Sequence, residues 1–220
     1  MMLLEGLRAN FLGDSITAGV GTSGEDAIYL NVLAKRCGLA AARNYGVSGT
    51  RIARQNWARE AGHNEDNNFC ARAGQMNPAA DLIVVFGGTN DFGHGDAPLG
   101  TPADRTRDTY ICALHELFRL LIEKYPRGTI VVLTPLHRDN EDCPYGDNRR
   151  NQAAPLSEYV RILCEVAAYY SLPVCDLYRT SGIQPAIPVL RELFLPDGLH
   201  PSDAGNRRIA DRLEAFLRAL

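Results

Sequence analysis

Two stretches of this chain, Leu82-Ile83-Val84-Val85-Phe86 and Ile130-Val131-Val132-Leu133, are apolar without a break and rich in β-branched residues. A strand with one wet face alternates apolar and polar side chains, whereas a strand covered on both faces has no such need. Short apolar runs of this kind alternate with longer helical patterns along the chain, the mark of a parallel sheet covered by helices on both sides. The candidate strands are residues 8–12, 42–45, 81–86, 129–134 and 173–176. With 220 residues and 45% apolar content, one α/β domain spanning residues 1–220 can bury a full core.

Helix signals fill the intervals. Thr101-Pro102-Ala103-Asp104 supplies an N-cap, a proline at the first helical position and an acidic third residue. The stripe Tyr110, Leu114, Leu117 and Leu121 follows, and Pro126 and Gly128 end it. Leu156, Tyr159, Val160, Leu163, Val166 and Tyr170 make a second stripe. Ser202 caps a last helix with Ile209, Leu213, Phe216 and Leu220 on its buried face. Residues 25–37 read as the first crossover helix and residues 54–75 as one or two irregular helices. The loop 137–155 is long and polar, as functional loops in compact domains often are.

Composition excludes several classes. The net charge is −3, and the longest basic runs, Arg149-Arg150 and Arg207-Arg208, read as solvated positions, so no nucleic-acid or anionic-membrane footprint is present. Six cysteines stand far apart without metal-ligand spacing, as buried thiols of a reduced protein would. No metal or cofactor is called for. The N-terminus, Met1-Met2-Leu3-Leu4-Glu5, has no basic n-region or cleavage site, and no apolar run approaches a spanning helix, so a cytoplasmic protein is expected. The oligomeric state is left open.

Four short blocks carry chemistry: Gly13-Asp14-Ser15-Ile16-Thr17, Ser48-Gly49-Thr50, Gly88-Thr89-Asn90-Asp91 and Asp197-Gly198-Leu199-His200. Each follows a candidate strand or precedes the last helix. In an open parallel sheet those positions share one edge, outside the carboxyl ends of the strands. Ser15 sits in a turn entering a helix, where its N–H joins the free amides of the first turn, and Asp14 beside it is a ready cap. After the second strand, Gly46 and Gly49 both suit a close backbone approach to a ligand. Asn90 offers a side-chain amide to a developing oxyanion, while Asp91 orders its loop. His200 follows Asp197 by three residues, a spacing that lets the carboxylate hold the near ring nitrogen while the far one faces Ser15. Asp14, His94 and His137 are candidate substrate contacts; His63 and His115 read as surface or helix positions.

In order and neighbours these blocks resemble the SGNH (GDSL) family of esterases and lipases, and the resemblance spans almost the whole chain, from Phe11 to the final helix. It implies a three-layer α/β/α, flavodoxin-like sheet of five parallel strands, and hydrolysis of carboxylic esters through an acyl-serine. It also implies a triad of Ser15, Asp197 and His200, with an oxyanion hole from the Ser15 and Gly49 N–H groups and the Asn90 amide. The Ser-Gly-Thr-Arg match favours Gly49 over Gly46. Asp197 is the member on which such enzymes depend least. A small-molecule ester is the implied partner.

Gly19-Val20-Gly21-Thr22-Ser23-Gly24 matches a dinucleotide fingerprint, yet it begins too far beyond the first strand, and no acidic residue ends strand two. It reads as a loop bordering the serine. The segments Phe92-Gly93-His94-Gly95-Asp96 and Arg138-Asp139-Asn140-Glu141-Asp142 should rim the crevice. Both are polar, which favours a short acyl group such as acetyl on a polar alcohol, for instance a carbohydrate. A lysophospholipase or thioesterase is the alternative, and a non-catalytic carbohydrate-binding module a further one.

Overall fold

The uninterrupted apolar runs form the middle of the sheet. In the computed structural model, which describes residues 2–55, 67–104, 107–149, 151–152 and 154–220, they are β3 (Leu82–Phe86) and β4 (Thr129–Leu133). β1 (Arg8–Gly13) and β2 (Ala41–Gly46) extend the sheet on one side and the short β5 (Val174–Cys175) on the other. All pairings are parallel in the order β2-β1-β3-β4-β5, with Phe11 opposite Asn44 and Val84, and Val84 opposite Val131. This is the flavodoxin order, which reverses direction between β1 and β3 and opens a crevice there.

Strand alternation feeds two cores. Phe11, Leu82, Val84, Phe86, Val131 and Leu133 pack with Tyr29, Leu30 and Leu33 of α2 (Tyr29–Cys37) and with the C-terminal helix. Leu12, Ile83, Val85, Ile130 and Val132 face the opposite layer. That layer holds the short helix Phe69–Ala73 and the two long helices Tyr110–Lys124 and Leu156–Tyr169. Each large apolar side chain so buried contributes about 1.5–3 kcal/mol relative to exposure. Tyr29 crosses Phe11 and Phe86 edge-on, each at 5.9 Å, and its hydroxyl meets Thr17 Oγ1 at 3.1 Å. All six cysteines are free thiols. Among the described residues, no helix is long and apolar enough to cross a membrane.

Several local expectations are corrected. The Thr101–Asp104 signature closes a turn, with Asp104 Oδ2 accepting from Thr101 N at 2.6 Å, and the helix starts only at Tyr110 under a Thr109 cap. The expected helix over 25–37 is a 3-10 turn (Glu25–Ala27) and then α2, because Ile28 between them is extended. Buried Asn206 fixes that break by accepting from Tyr29 N at 3.0 Å. In the C-terminal helix (Asp203–Ala219), capped by Ser202, the buried stripe is Ile209, Leu213 and Leu217. Phe216 is half-buried, and Leu220 lies past the helix end and is exposed. Of region 54–75, only the helix Phe69–Ala73 belongs to the regular structure described; residues 56–66, with His63, lie outside the described residues.

Candidate active site

β1 ends at Gly13, where a Cβ would stand 1.9 Å from Thr17 Oγ1, so only glycine lets the chain fold straight into α1 (Ser15–Ala18). Asp14 caps this turn, accepting from Ile16 N at 3.0 Å. Its carboxylate is buried, and that burial pushes its pKa up to about 6, against the pull of the Ile16 N–H. The expected substrate contact of Asp14 is thus placed under the helix it caps. Ser15, the first helical residue, has an amide that its own helix leaves free.

The turn Asp197-Gly198-Leu199-His200 brings the imidazole over this serine. His200 Nε2 lies 3.0 Å from Ser15 Oγ and Nδ1 2.7 Å from Asp197 Oδ2. Asp197 Oδ1 accepts from the backbone N–H of Leu199 at 2.9 Å and of His200 at 2.7 Å. Partial burial pushes the Asp197 carboxyl up, but these two amides and the ring outweigh it and hold the carboxyl below its ordinary value. A carboxylate only accepts, so the ring hydrogen sits on Nδ1 and the Nε2 lone pair faces the Ser15 hydroxyl. That arrangement can take the serine proton. The loop 19–24 lies behind it: a Cβ at Gly21 would stand 2.9 Å from Pro201 O, and Ser23 is tied to Asp203. The glycine-rich stretch therefore borders the histidine.

After β2 the two candidate glycines separate. A Cβ on Gly46 would lie 2.2 Å from Ala18 N, and Gly46 N donates to Asn44 Oδ1 at 2.8 Å. Gly46 serves packing. Gly49 has φ +75° and open space where a side chain would project. After β3, Asn90 and Asp91 lie in the first turn of α4 (Thr89–His94), the helix Phe69–Ala73 being α3. Asn90 Nδ2 donates to Thr50 O at 3.0 Å, joining the second and third blocks. Asp91 accepts from Ile52 N and Ala53 N, both at 2.9 Å, and burial raises its carboxyl to about 6.

The GDSL-like Lipase/Acylhydrolase family model matches residues 11–208, which takes in all four blocks. The chain belongs to this family. A solved structure 33% identical in sequence covers 100% of this chain and 99% of its own, with a TM-score of 0.85. A protein from Lactobacillus plantarum is 29% identical over 98% of each chain, with a TM-score of 0.82. A two-domain esterase active on acetylated mannans shares the fold at 20% identity and a TM-score of 0.64, over 98% of this chain and 49% of that one. No curated protein sequence matches the chain. As a GDSL-like acylhydrolase, the protein is a carboxylic ester hydrolase.

Several residues that brace the GDSL-like site were not singled out from sequence. Arg72, buried in α3, donates to Gly13 O at 3.0 Å, Thr50 Oγ1 at 2.8 Å, Asn67 O at 2.9 Å and Tyr45 O. It ties the ends of β1 and β2 to the Gly49 loop. Burial lowers its guanidinium to about 10, so it stays cationic at neutral pH. Arg149, expected in solvent, is buried: it donates to Phe92 O at 3.3 Å, Ala97 O at 3.2 Å and Asp91 O. The reason is that a helix as short as α4 leaves its last carbonyls unpaired. Arg138 is buried too, against Thr89 at 3.2 Å and over the Phe92 ring at 5.6 Å. A charged residue amid apolar neighbours is the only trace of Arg72 in the sequence; the two loop arginines leave none.

The polar loop 137–149 meets the histidine turn, where Asp139 N donates to Gly198 O at 2.8 Å. His137 stacks on Tyr178 at 3.8 Å with Nδ1 2.9 Å from Glu141, and His94 pairs with Asn90. These are the partners of the two histidines expected to touch substrate. Apart from these groups, a 480 Å³ cavity lies between the helices Tyr110–Lys124 and Leu156–Tyr169, lined by Ile111, His115, Ile162, Val166 and Tyr169.

Proposed function

We propose that the protein hydrolyses short acyl esters of a polar alcohol, such as an acetylated carbohydrate, with Ser15 as nucleophile. The single observation that carries this reading is the relay from Asp197 through His200 to Ser15, at 2.7 and 3.0 Å. Ser15 Oγ attacks the ester carbon while Nε2 takes its proton, and the carbonyl oxygen becomes an oxyanion. The Ser15 N–H, the Gly49 N–H and the remaining Nδ2 hydrogen of Asn90 are the donors that face it. Nε2–H then protonates the leaving alcohol, giving the acyl-serine. Water, deprotonated by Nε2, attacks that ester, and collapse releases the acid and restores the hydroxyl.

The short acyl group is supported by the polar residues of the two segments that remain partly or fully exposed, His94 and Asp96 in one and Asp139 to Asp142 in the other, whereas Phe92 and Arg138 are buried. The activity of the two-domain esterase on acetylated mannans is in keeping with it. Two measurements test the reading together. A fluorophosphonate probe should label the wild-type protein and leave Ser15→Ala unlabelled, and hydrolysis of p-nitrophenyl esters should peak at short chains. Labelling of Ser15→Ala would remove the mechanism; a rate maximum beyond about eight carbons would remove the substrate class.

A further inference from the structure

His94 stands one helical turn after Asn90 on α4, so the two side chains share a face. Its Nε2 lies 3.0 Å from Asn90 Oδ1. The direction of this bond is set from the other end. Asn90 Nδ2 donates to Thr50 O, which only accepts, so the amide cannot be turned over without setting two oxygens against each other. Oδ1 therefore faces His94 and accepts, and the ring carries its hydrogen on Nε2. Arg51 holds the backbone beneath, donating to His94 O at 3.3 Å.

We propose that His94 is a positioning residue for the oxyanion hole: its Nε2–H pins Asn90 Oδ1, so that the amide's second hydrogen stays aimed at the oxyanion. This rests on the role of Asn90 proposed above. The amide is held at three corners, by Thr50 O, by His94 and by its own helix, leaving one N–H for the reaction. Without His94, rotation about the Cβ–Cγ bond is opposed by Thr50 O alone. A bond between a donor and an amide oxygen also polarises the amide and strengthens the N–H at its other end. Burial, with Arg51 acting in the same direction, lowers the His94 imidazole to about 4. The ring is then neutral at working pH and places no charge beside the oxyanion.

The test is a double-mutant cycle on p-nitrophenyl acetate, with thermal melts run on every variant. His94→Ala should lower kcat about 3- to 10-fold, the worth of one neutral hydrogen bond, and leave KM within about 2-fold. His94→Gln, whose amide nitrogen falls near the place of Nε2, should restore most of the loss. His94→Met, which fills the space without a donor, should behave as Ala does and serves if the Ala variant folds poorly. In an Asn90→Ala background, itself slowed about 10²–10³-fold, removing His94 should cost nothing further. An equal loss in both backgrounds, a loss confined to KM, or kcat unchanged in the Met variant would overturn the role of His94 and leave that of Asn90 standing. Wild-type turnover in Asn90→Ala alone would instead remove the oxyanion reading beneath it.

Discussion

Replacing Asp197 by Asn should harm the enzyme more than replacing it by Ala, although Asn is the closer mimic. The carboxylate does two things. Oδ2 meets the His200 ring at 2.7 Å, and Oδ1 receives the Leu199 and His200 amides. Its charge, about 4 Å from the centre of the imidazolium formed in the reaction, is worth ~1 kcal/mol in water and ~4 kcal/mol at an effective dielectric of 20. The side chain of Asp197 is 56% exposed and that of His200 19%, which places the pair in the lower part of that range. Asp197→Ala should therefore lower kcat roughly 5- to 150-fold. Asn keeps the Oδ1 contacts to both amides and so keeps the turn, but it points a donor at Nδ1. The ring hydrogen is driven to Nε2, which then cannot accept the serine proton. The loss should approach ~10⁴, as in a protease triad with the same change. The assay is kcat on p-nitrophenyl acetate with circular dichroism as a folding control. An Asn variant as active as the Ala variant refutes the tautomer argument, and an Ala variant within twofold of wild type refutes the charge argument.

Asp14 supplies a pH prediction. Its folded pKa of about 6 lies above the ~3.9 of an unfolded aspartate, so the native state binds more protons and loses stability as pH rises through that window. Asp14→Asn keeps the cap oxygen without the charge, and should stabilise the fold by on the order of 2–3 kcal/mol at pH 8, with the gain vanishing below about pH 4. Melting curves at the two pH values check this, and a gain independent of pH contradicts it. Arg72→Met removes a donor from four acceptors, Gly13 O and Tyr45 O at the ends of β1 and β2 together with Thr50 Oγ1 and Asn67 O, and should cost about 3–5 kcal/mol in urea unfolding; a loss under 1 kcal/mol would show that water replaces it.

The layered sheet and the four blocks were legible because each rests on a signal the fold cannot easily redirect. Runs such as Ile130 to Leu133 have no solvent-facing alternative, and the strand ends must then share an edge. Capping signals are weaker, since any tight turn satisfies them: Thr101 and Asp104 close a turn of their own, and Thr109 caps the helix instead. Buried cations are hardest to read. Arg149 and Arg138 look like loop charges until the carbonyls of α4 that they meet, Asp91 O and Phe92 O for the first and Thr89 O for the second, are placed beside them. The bond of His94 to Asn90 is not legible in the sequence, because its partner is an amide whose orientation depends on Thr50, far away in sequence.

Those two loop arginines have a consequence for anyone redesigning the enzyme. They bolt the polar loop to the very helix that carries Asn90, so the part that would select the alcohol and the part that would steady the tetrahedral intermediate are mechanically one piece. A loop transplant that cuts either bolt should surface as slower turnover on every ester, and selectivity is free to change by itself only in a transplant that also keeps Gly146, where a Cβ would stand 2.5 Å from Gly93 O.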